Sequence, residues 1–251
     1  MKSSISDTDK YKNIIKQILI NQSLFNKFKQ LPDYTEILEH TSESQAKEYL
    51  KVIERDNNQL INDINKFKVN DEFGTPNKIL FENIGYISPS TLRYVKVLSD
   101  LIILGDFNNK NIVEIGGGYG GQCLIFSKYF KFNSYTLIDL EESLDLSKKY
   151  LSLNNINNVF FKDITQLKDI ENYDLVISNY AFTECDKNIQ DIYINKILNN
   201  CKNGYITANF ISDKFNINSY NLDELINLIN NNISMKEEEP KTHKNNSILI
   251  W

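Results

Sequence analysis

Apolar residues recur at helical spacing from the start of the chain. Ile14, Ile15, Ile18 and Leu19 form one such stretch, and Leu50, Ile53, Leu60, Ile61 and Ile64 form a second, longer one, so residues 1–70 read as helical. Thr41 and Ser42 are placed to cap the second stretch. Gly74, Pro76, Gly85 and Pro89 then break the pattern and predict a loop-rich connector over 71–89. A helix follows over 90–104, burying Leu92, Val95, Leu98, Leu101 and Ile102, and Gly105 is suited to end it.

From Asn111 the texture changes. Short apolar runs at 112–115, 135–139, 159–162, 173–178 and 205–210 alternate with helical patterns to about 130 and over 140–153, 189–198 and 222–229. Strands alternating with helices predict a mostly parallel sheet covered on both faces. Two last runs, 233–236 and 247–251, are too close together for a crossover helix, so they should pair antiparallel. The expectation is a doubly wound α/β domain over 106–251 with seven strands and an antiparallel last strand, preceded by a helical region over 1–105.

The chain has nine glycines, and five of them lie between 116 and 121. A strand that feeds a helix through such a turn brings backbone close to a ligand. Gly116, Gly118 and Gly121 satisfy G-x-G-x-x-G, which alone points only weakly to NAD. Glu114, Gly116, Gly118 and Gly120 also satisfy E-x-G-x-G-x-G, which resembles motif I of class I methyltransferases. A carboxylate at 114 would repel a pyrophosphate and suits the ammonium of a methionine moiety. Asp139, at the end of the second strand, is placed to accept hydrogen bonds from ribose hydroxyls, or to cap the next helix. Asp163, past the third strand, resembles the residue of that fold that meets the adenine amino group; a cap or turn is its other reading. The rest of the expected S-adenosylmethionine site is Gly117, Tyr119, Gln122, Leu140, Ile164, Ser178 and Asn179.

Charge narrows the partners. A net charge of -5 argues against nucleic acid, whose backbone attracts a basic surface. No apolar run approaches the roughly 20 residues of a membrane span, and no secretory signal is visible, with Asp7, Asp9 and Lys16 in the N-terminal stretch. Cys123, Cys185 and Cys201 lack metal-ligand spacing and read as small buried residues. A reducing, cytoplasmic setting is expected. Abundant Asn, Ile and Lys, including the run Asn230-Asn231-Asn232, mark base composition rather than function.

Three segments together resemble the sugar O-methyltransferases: Ser88-Pro89-Ser90-Thr91-Leu92-Arg93-Tyr94, Val113 to Gln122, and Ser178-Asn179-Tyr180-Ala181-Phe182-Thr183-Glu184. Glu239-Pro240-Lys241-Thr242-His243 and Trp251 fit the same pattern. The resemblance covers residues 71–251 and implies a class I, Rossmann-like methyltransferase acting on a sugar hydroxyl of a nucleotide sugar or a glycan precursor. Residues 1–70 carry no such motif and are free to cap the site, to form a homodimer surface, or both.

Methyl transfer to a hydroxyl needs the acceptor oxygen in line with the sulfonium carbon and a group to remove one proton. His243 is the first candidate base, since its ordinary pKa of about 6.5 suits that task, and Glu184 is the second. Arg93, one of two arginines, suits the diphosphate of a nucleotide sugar through its guanidinium fork, or else a structural ion pair. Ser88, Thr91, Tyr94, Tyr180 and Thr242 complete the expected acceptor site. No clustered aspartates suggest a metal. A non-sugar acceptor, an NAD-linked oxidoreductase and a non-catalytic adenosine-binding module are the alternative readings.

Overall fold

The computed structural model describes residues 3–229 and 232–251; Asn230 and Asn231 of the asparagine run lie outside them. The N-terminal region is helical, with α1 (Asp9–Ile20), the short turns α2 (Gln22–Phe25) and α3 (Pro32–Thr35), and α4 (Glu43–Asn62). Ser42 caps α4 through a capping box with Gln45, and the helix is interrupted at Asn57, whose φ of -154° is not helical. Residues 71–89 are more ordered than the glycines and prolines suggest. Strands β1 (Ile79–Phe81) and β2 (Gly85–Ile87) pair antiparallel there, closed by a turn that uses the positive φ of Gly85.

Helix α5 (Pro89–Leu104) begins at the Ser88 cap and stops at Gly105. It is packed on one side by α4 and on the other by α6 (Gly121–Ser127), which explains why it buries residues all round rather than along one stripe. One core joins the two regions: Tyr11, Ile15, Tyr34 and Ile53 of the N-terminal helices share an apolar cluster with Ile112, Tyr135 and Leu137 of the sheet, and a second cluster gathers around Val113, Val176 and Ile206.

The main sheet has seven strands in the order β5-β4-β3-β6-β7-β9-β8. They are β3 (Asn111–Ile115), β4 (Ser134–Ile138), β5 (Val159–Lys162), β6 (Tyr173–Asn179), β7 (Cys201–Ala208), β8 (Ser234–Glu237) and β9 (Ser247–Ile250). The first five are parallel, while β9 runs antiparallel to both β7 and β8. Helices α7 (Glu141–Leu153), α8 (Lys187–Lys196) and α9 (Leu222–Leu228) complete the layers. This is the doubly wound class I methyltransferase architecture.

Boundaries move where packing overrides local pattern. Strand β7 begins at Cys201, four residues ahead of the apolar run, because Tyr173 of β6 pairs with Cys201. It ends at Ala208, short of Phe210. Helix α6 closes at Ser127 instead of near 130, and the tighter turn stacks Phe126 on Phe130 with ring centres 4.9 Å apart. Helix α8 starts earlier than expected since the Asp186 side chain accepts from the Ile189 N–H at 3.0 Å. Among the described residues no helix is long and apolar enough to cross a membrane, and the three cysteines are free and buried.

Candidate active site

The turn after β3 owes its shape to its glycines. Gly116, Gly118 and Gly120 have φ of 79°, 56° and 89°, a region that costs an L side chain about 1–2 kcal/mol. Space demands glycine as well: a Cβ on Gly116 would stand 2.0 Å from the Ala181 Cβ. The Gly118 N–H donates to Asp139 Oδ2 at 2.7 Å, and the Leu140 N–H donates to Oδ1 at 2.7 Å. Asp139 thus fastens the glycine turn to the end of β4. Its carboxylate still has lone pairs free toward the cavity, and burial pushes its pKa up to about 6 against those backbone bonds.

A cavity of about 480 Å³ opens at the carboxyl ends of β3, β4 and β6, where open α/β sheets take ligands. Gly116, Gly118, Asp139, Asn179 and Glu184 line it, together with Arg93, Tyr180, Thr242 and His243. A smaller space of about 70 Å³ continues past Asp139, walled by Ile138, Leu140 and Ile164. That apolar slot beside a carboxylate suits the flat face of an adenine.

Several expected site residues lie elsewhere. Glu114 is buried behind the turn, and its carboxyl accepts from the Tyr135 hydroxyl at 2.8 Å. Strand alternation puts it on the α6 face with Ile112, and it is not among the residues that line the cavity. Burial drives its pKa up to about 8. Gly117 and Gly120 shape the turn without facing the cavity; a Cβ on Gly117 would meet Leu137 at 2.5 Å. Tyr119 is fully buried in an aromatic cluster with Phe28 and Tyr150. Gln122 reaches the Tyr94 carbonyl at 3.3 Å. Asp163 is a cap, accepting from the Thr165 N–H at 2.7 Å. The Ser178 hydroxyl donates to the Ile115 carbonyl at 3.0 Å and ties two strands.

Ser88, Thr91 and Tyr94 also belong to the interior. The hydroxyls of Ser88 and Thr91 each donate to Asp71 Oδ1 at 2.6 Å, a buried network that anchors the start of α5. Tyr94 packs edge-on against Tyr119.

The cavity wall also draws on the N-terminal region, which carries no motif. Ile5, Ser6 and Tyr11, the segment 36–38 with His40 and Thr41, and Tyr49 of α4 all contribute. The strap at Ser4 bridges to Cys185, and the Ile5 N–H donates to the Glu184 carbonyl at 3.2 Å. Helical periodicity signals that these elements exist but says nothing of their docking over the glycine turn. Across the wall Tyr180 holds a φ of 70°, uncommon for a bulky residue. Its hydroxyl donates to Glu238, which also accepts from Thr242 Oγ1 at 2.6 Å and Asn246 Nδ2 at 3.0 Å. Glu238 therefore pins the 239–246 loop to the cavity.

The charges are unevenly satisfied. Glu184 accepts from Asn209 Nδ2 at 2.6 Å, and burial raises its pKa. Arg93 forms no ion pair among the described residues, and its buried Nε has no hydrogen-bond partner. It lies over the Tyr94 ring at 5.2 Å. Arg55, by contrast, is tied to Asp56 and Glu239 on the surface. Among the described residues no group of three or more His, Cys, Asp or Glu is placed to hold a metal.

The sheet order and the glycine turn define the class I methyltransferase, Rossmann-like fold. The spermine/spermidine synthase domain family matches residues 91–236, and the chain belongs to that family. No curated protein matches it by sequence. Among solved structures, the N-methyltransferase NodS from Bradyrhizobium japonicum WM9, in complex with S-adenosylhomocysteine, is similar with a TM-score of 0.50 at 12% identity. That match covers 63% of this chain and 83% of NodS. Magnesium protoporphyrin IX methyltransferase from Synechocystis PCC 6803, with bound S-adenosylmethionine, matches with a TM-score of 0.48 at 14% identity, over 63% of this chain and 76% of that one. A Galdieria sulphuraria protein assigned as a sarcosine dimethylglycine methyltransferase matches with a TM-score of 0.47 at 15% identity. There 56% of this chain covers 59% of the other, less than two thirds of its length.

Proposed function

We propose that this chain is an S-adenosylmethionine-dependent methyltransferase acting on a small molecule. The observation that carries the reading is the pairing of Asp139 with the Gly118 amide at the mouth of a cavity that continues into the apolar slot beside Leu140 and Ile164. In this reading Asp139 takes the ribose hydroxyls, Leu140 and Ile164 sandwich the adenine, and Gly116 leaves room for the methionine portion. The N-terminal helices cap the site. Calorimetry with S-adenosylmethionine, S-adenosylhomocysteine and NAD tests it: micromolar binding of the first two is expected. Tight NAD binding with no response to S-adenosylhomocysteine would return the chain to the dinucleotide or adenosine-binding readings.

The reaction is an in-line displacement, so the protein's part is to align the acceptor, exclude water and take a proton. A sugar hydroxyl is the acceptor implied by the resemblance in 88–94, 178–184 and 239–243. The guanidinium of Arg93 supports an acceptor that carries phosphate or carboxylate, since a desolvated cation left without a counter-charge is costly. Tyr180 and Thr242 offer hydroxyls on the same side. An amine acceptor is the second reading, supported by the family match and by Glu36 and Glu184 in the wall. A panel of nucleotide sugars, neutral sugars, phenols and polyamines, scored by S-adenosylhomocysteine release and product mass, separates them. Turnover confined to polyamines would rule out the sugar reading.

A further inference from the structure

Glu238 is buried beside the cavity and collects four donors. The Tyr180 hydroxyl donates to its Oε1. Its Oε2 accepts from the Thr242 N–H at 2.8 Å, the Thr242 hydroxyl at 2.6 Å and Asn246 Nδ2 at 3.0 Å. A carboxylate can only accept, and a hydroxyl has a single proton to give. The protons of Tyr180 and Thr242 are therefore both spent on Glu238.

Asn246 is turned by the same demand. Its Nδ2 serves Glu238 and also donates to Thr242 Oγ1 at 2.9 Å, while its buried Oδ1 is left without a donor among the described residues. An orphaned acceptor is costly, so the amide orientation is set by what Glu238 requires. Tyr180, Thr242 and Asn246 all line the cavity. With their protons directed at Glu238, the Tyr180 and Thr242 oxygens offer the cavity lone pairs alone. Arg93, which shares a small recess with Tyr180 and Glu238, has the opposite character and can only donate.

We propose that Glu238 is a positioning residue that sets the hydrogen-bond polarity of this wall, so that the cavity selects a molecule presenting a hydroxyl or ammonium hydrogen to Tyr180 and Thr242 and an anionic group to Arg93. The inference rests on the small-molecule reading above and deepens it. A carbonyl, an ether or a phosphate oxygen set against the wall would face lone pairs only and lose its hydrogen bonds with water. The wall thus accepts a hydrogen-bearing group and rejects its hydrogen-free analogue.

Two pairs of probes test this on the full chain by ligand-observed NMR titration: glycerol 3-phosphate against propyl phosphate, and phosphoethanolamine against ethyl phosphate. In at least one pair the member with the donor should bind about tenfold tighter or more, and the pair that splits tells hydroxyl from ammonium. Equal affinity within both pairs, or no saturable binding of any probe at millimolar concentration, overturns the proposal. Glu238→Gln replaces one acceptor oxygen by an NH2 donor, so a hydroxyl must turn its proton away from position 238. The native split should then shrink to about threefold or less, with S-adenosylhomocysteine affinity unchanged. If affinity falls equally for both members and the split persists, Glu238 only pins the loop and the proposal fails. Should Glu238→Gln not fold, Tyr180→Phe, which deletes one of the two oxygens, decides by the same criterion. The titrations are run with and without S-adenosylhomocysteine. If that ligand does not bind, the methyl-transfer reading fails, and the split within the pairs still decides the character of the wall.

Discussion

The Gly118 backbone N–H and Asp139 Oδ2 are 2.7 Å apart, so one carboxylate holds the glycine turn in register with β4 while it faces the cavity. Asp139→Asn keeps the size of the side chain and removes its charge. We expect affinity for S-adenosylhomocysteine to fall about tenfold or more, from weaker acceptance of two ribose O–H groups. The pH dependence has a definite sign. Burial has raised the pKa to about 6, so the native carboxylate protonates as pH falls through 6 and affinity should drop there. The Asn variant should be flat across that window. Calorimetry from pH 5 to 8 checks both statements, and a native affinity that rises on acidification would contradict them.

Gly116 is constrained twice over, by its φ of 79° and by Ala181. Gly116→Ala should cost about 1–2 kcal/mol from backbone conformation, with a further penalty of about 1–3 kcal/mol as Ala181 is displaced. Denaturant unfolding measures the sum. Because Gly116 and Ala181 both wall the cavity, S-adenosylhomocysteine binding should be lost even at temperatures where the variant stays folded. A variant that is destabilised yet binds normally would separate the turn from the cofactor site.

The buried network under α5 makes a different prediction. Asp71 accepts from the Ser88 hydroxyl, the Thr91 hydroxyl and the Ser88 N–H. Asp71→Ala leaves the Ser88 N–H and the Thr91 hydroxyl short of a partner, while the Ser88 hydroxyl can still donate to Thr91 Oγ1, and each buried orphan costs about 1–3 kcal/mol. A loss of several kcal/mol in stability is expected, with S-adenosylhomocysteine affinity unchanged in the protein that remains folded. If instead stability holds and acceptor KM rises, Ser88 and Thr91 act on substrate after all.

How far the amino-acid pattern alone reveals the fold depends on how local each signal is. The glycine turn, the seven strands and the antiparallel end are written in short-range pattern and turn chemistry. The start of β7 is hidden because Cys201 to Gly204 lack strand character and are held by tertiary pairing, with β6 on one side and Trp251 on the other. Among site residues, those at strand ends such as Asp139, Asn179 and Glu184 are legible, since topology alone sends them to the cavity. Ser88, Thr91 and Tyr94 are not, because burial against Asp71 and Tyr119 is a tertiary fact. His40 is hidden for the same reason: a histidine between two helices carries no motif, and only the docking of 36–41 over the turn brings it to the site.

Glu114 shows the sharpest contrast between motif and geometry. Its spacing ahead of Gly116 suggests a cofactor ligand, whereas its carboxyl is sealed in the core against Tyr135. With a folded-state pKa near 8, above an ordinary value of 4.5, the folded chain keeps a proton that the unfolded chain has already released between those values. The contribution of Glu114 to stability therefore falls as pH rises from about 4.5 towards 8. Glu114→Gln removes this term and still accepts from the Tyr135 hydroxyl. We expect the variant to gain roughly 1–3 kcal/mol over the native chain at pH 7, with no gain at pH 4.5. Urea unfolding at the two pH values decides it. Equal stability at both, together with a loss of S-adenosylhomocysteine binding, would return Glu114 to the cofactor site.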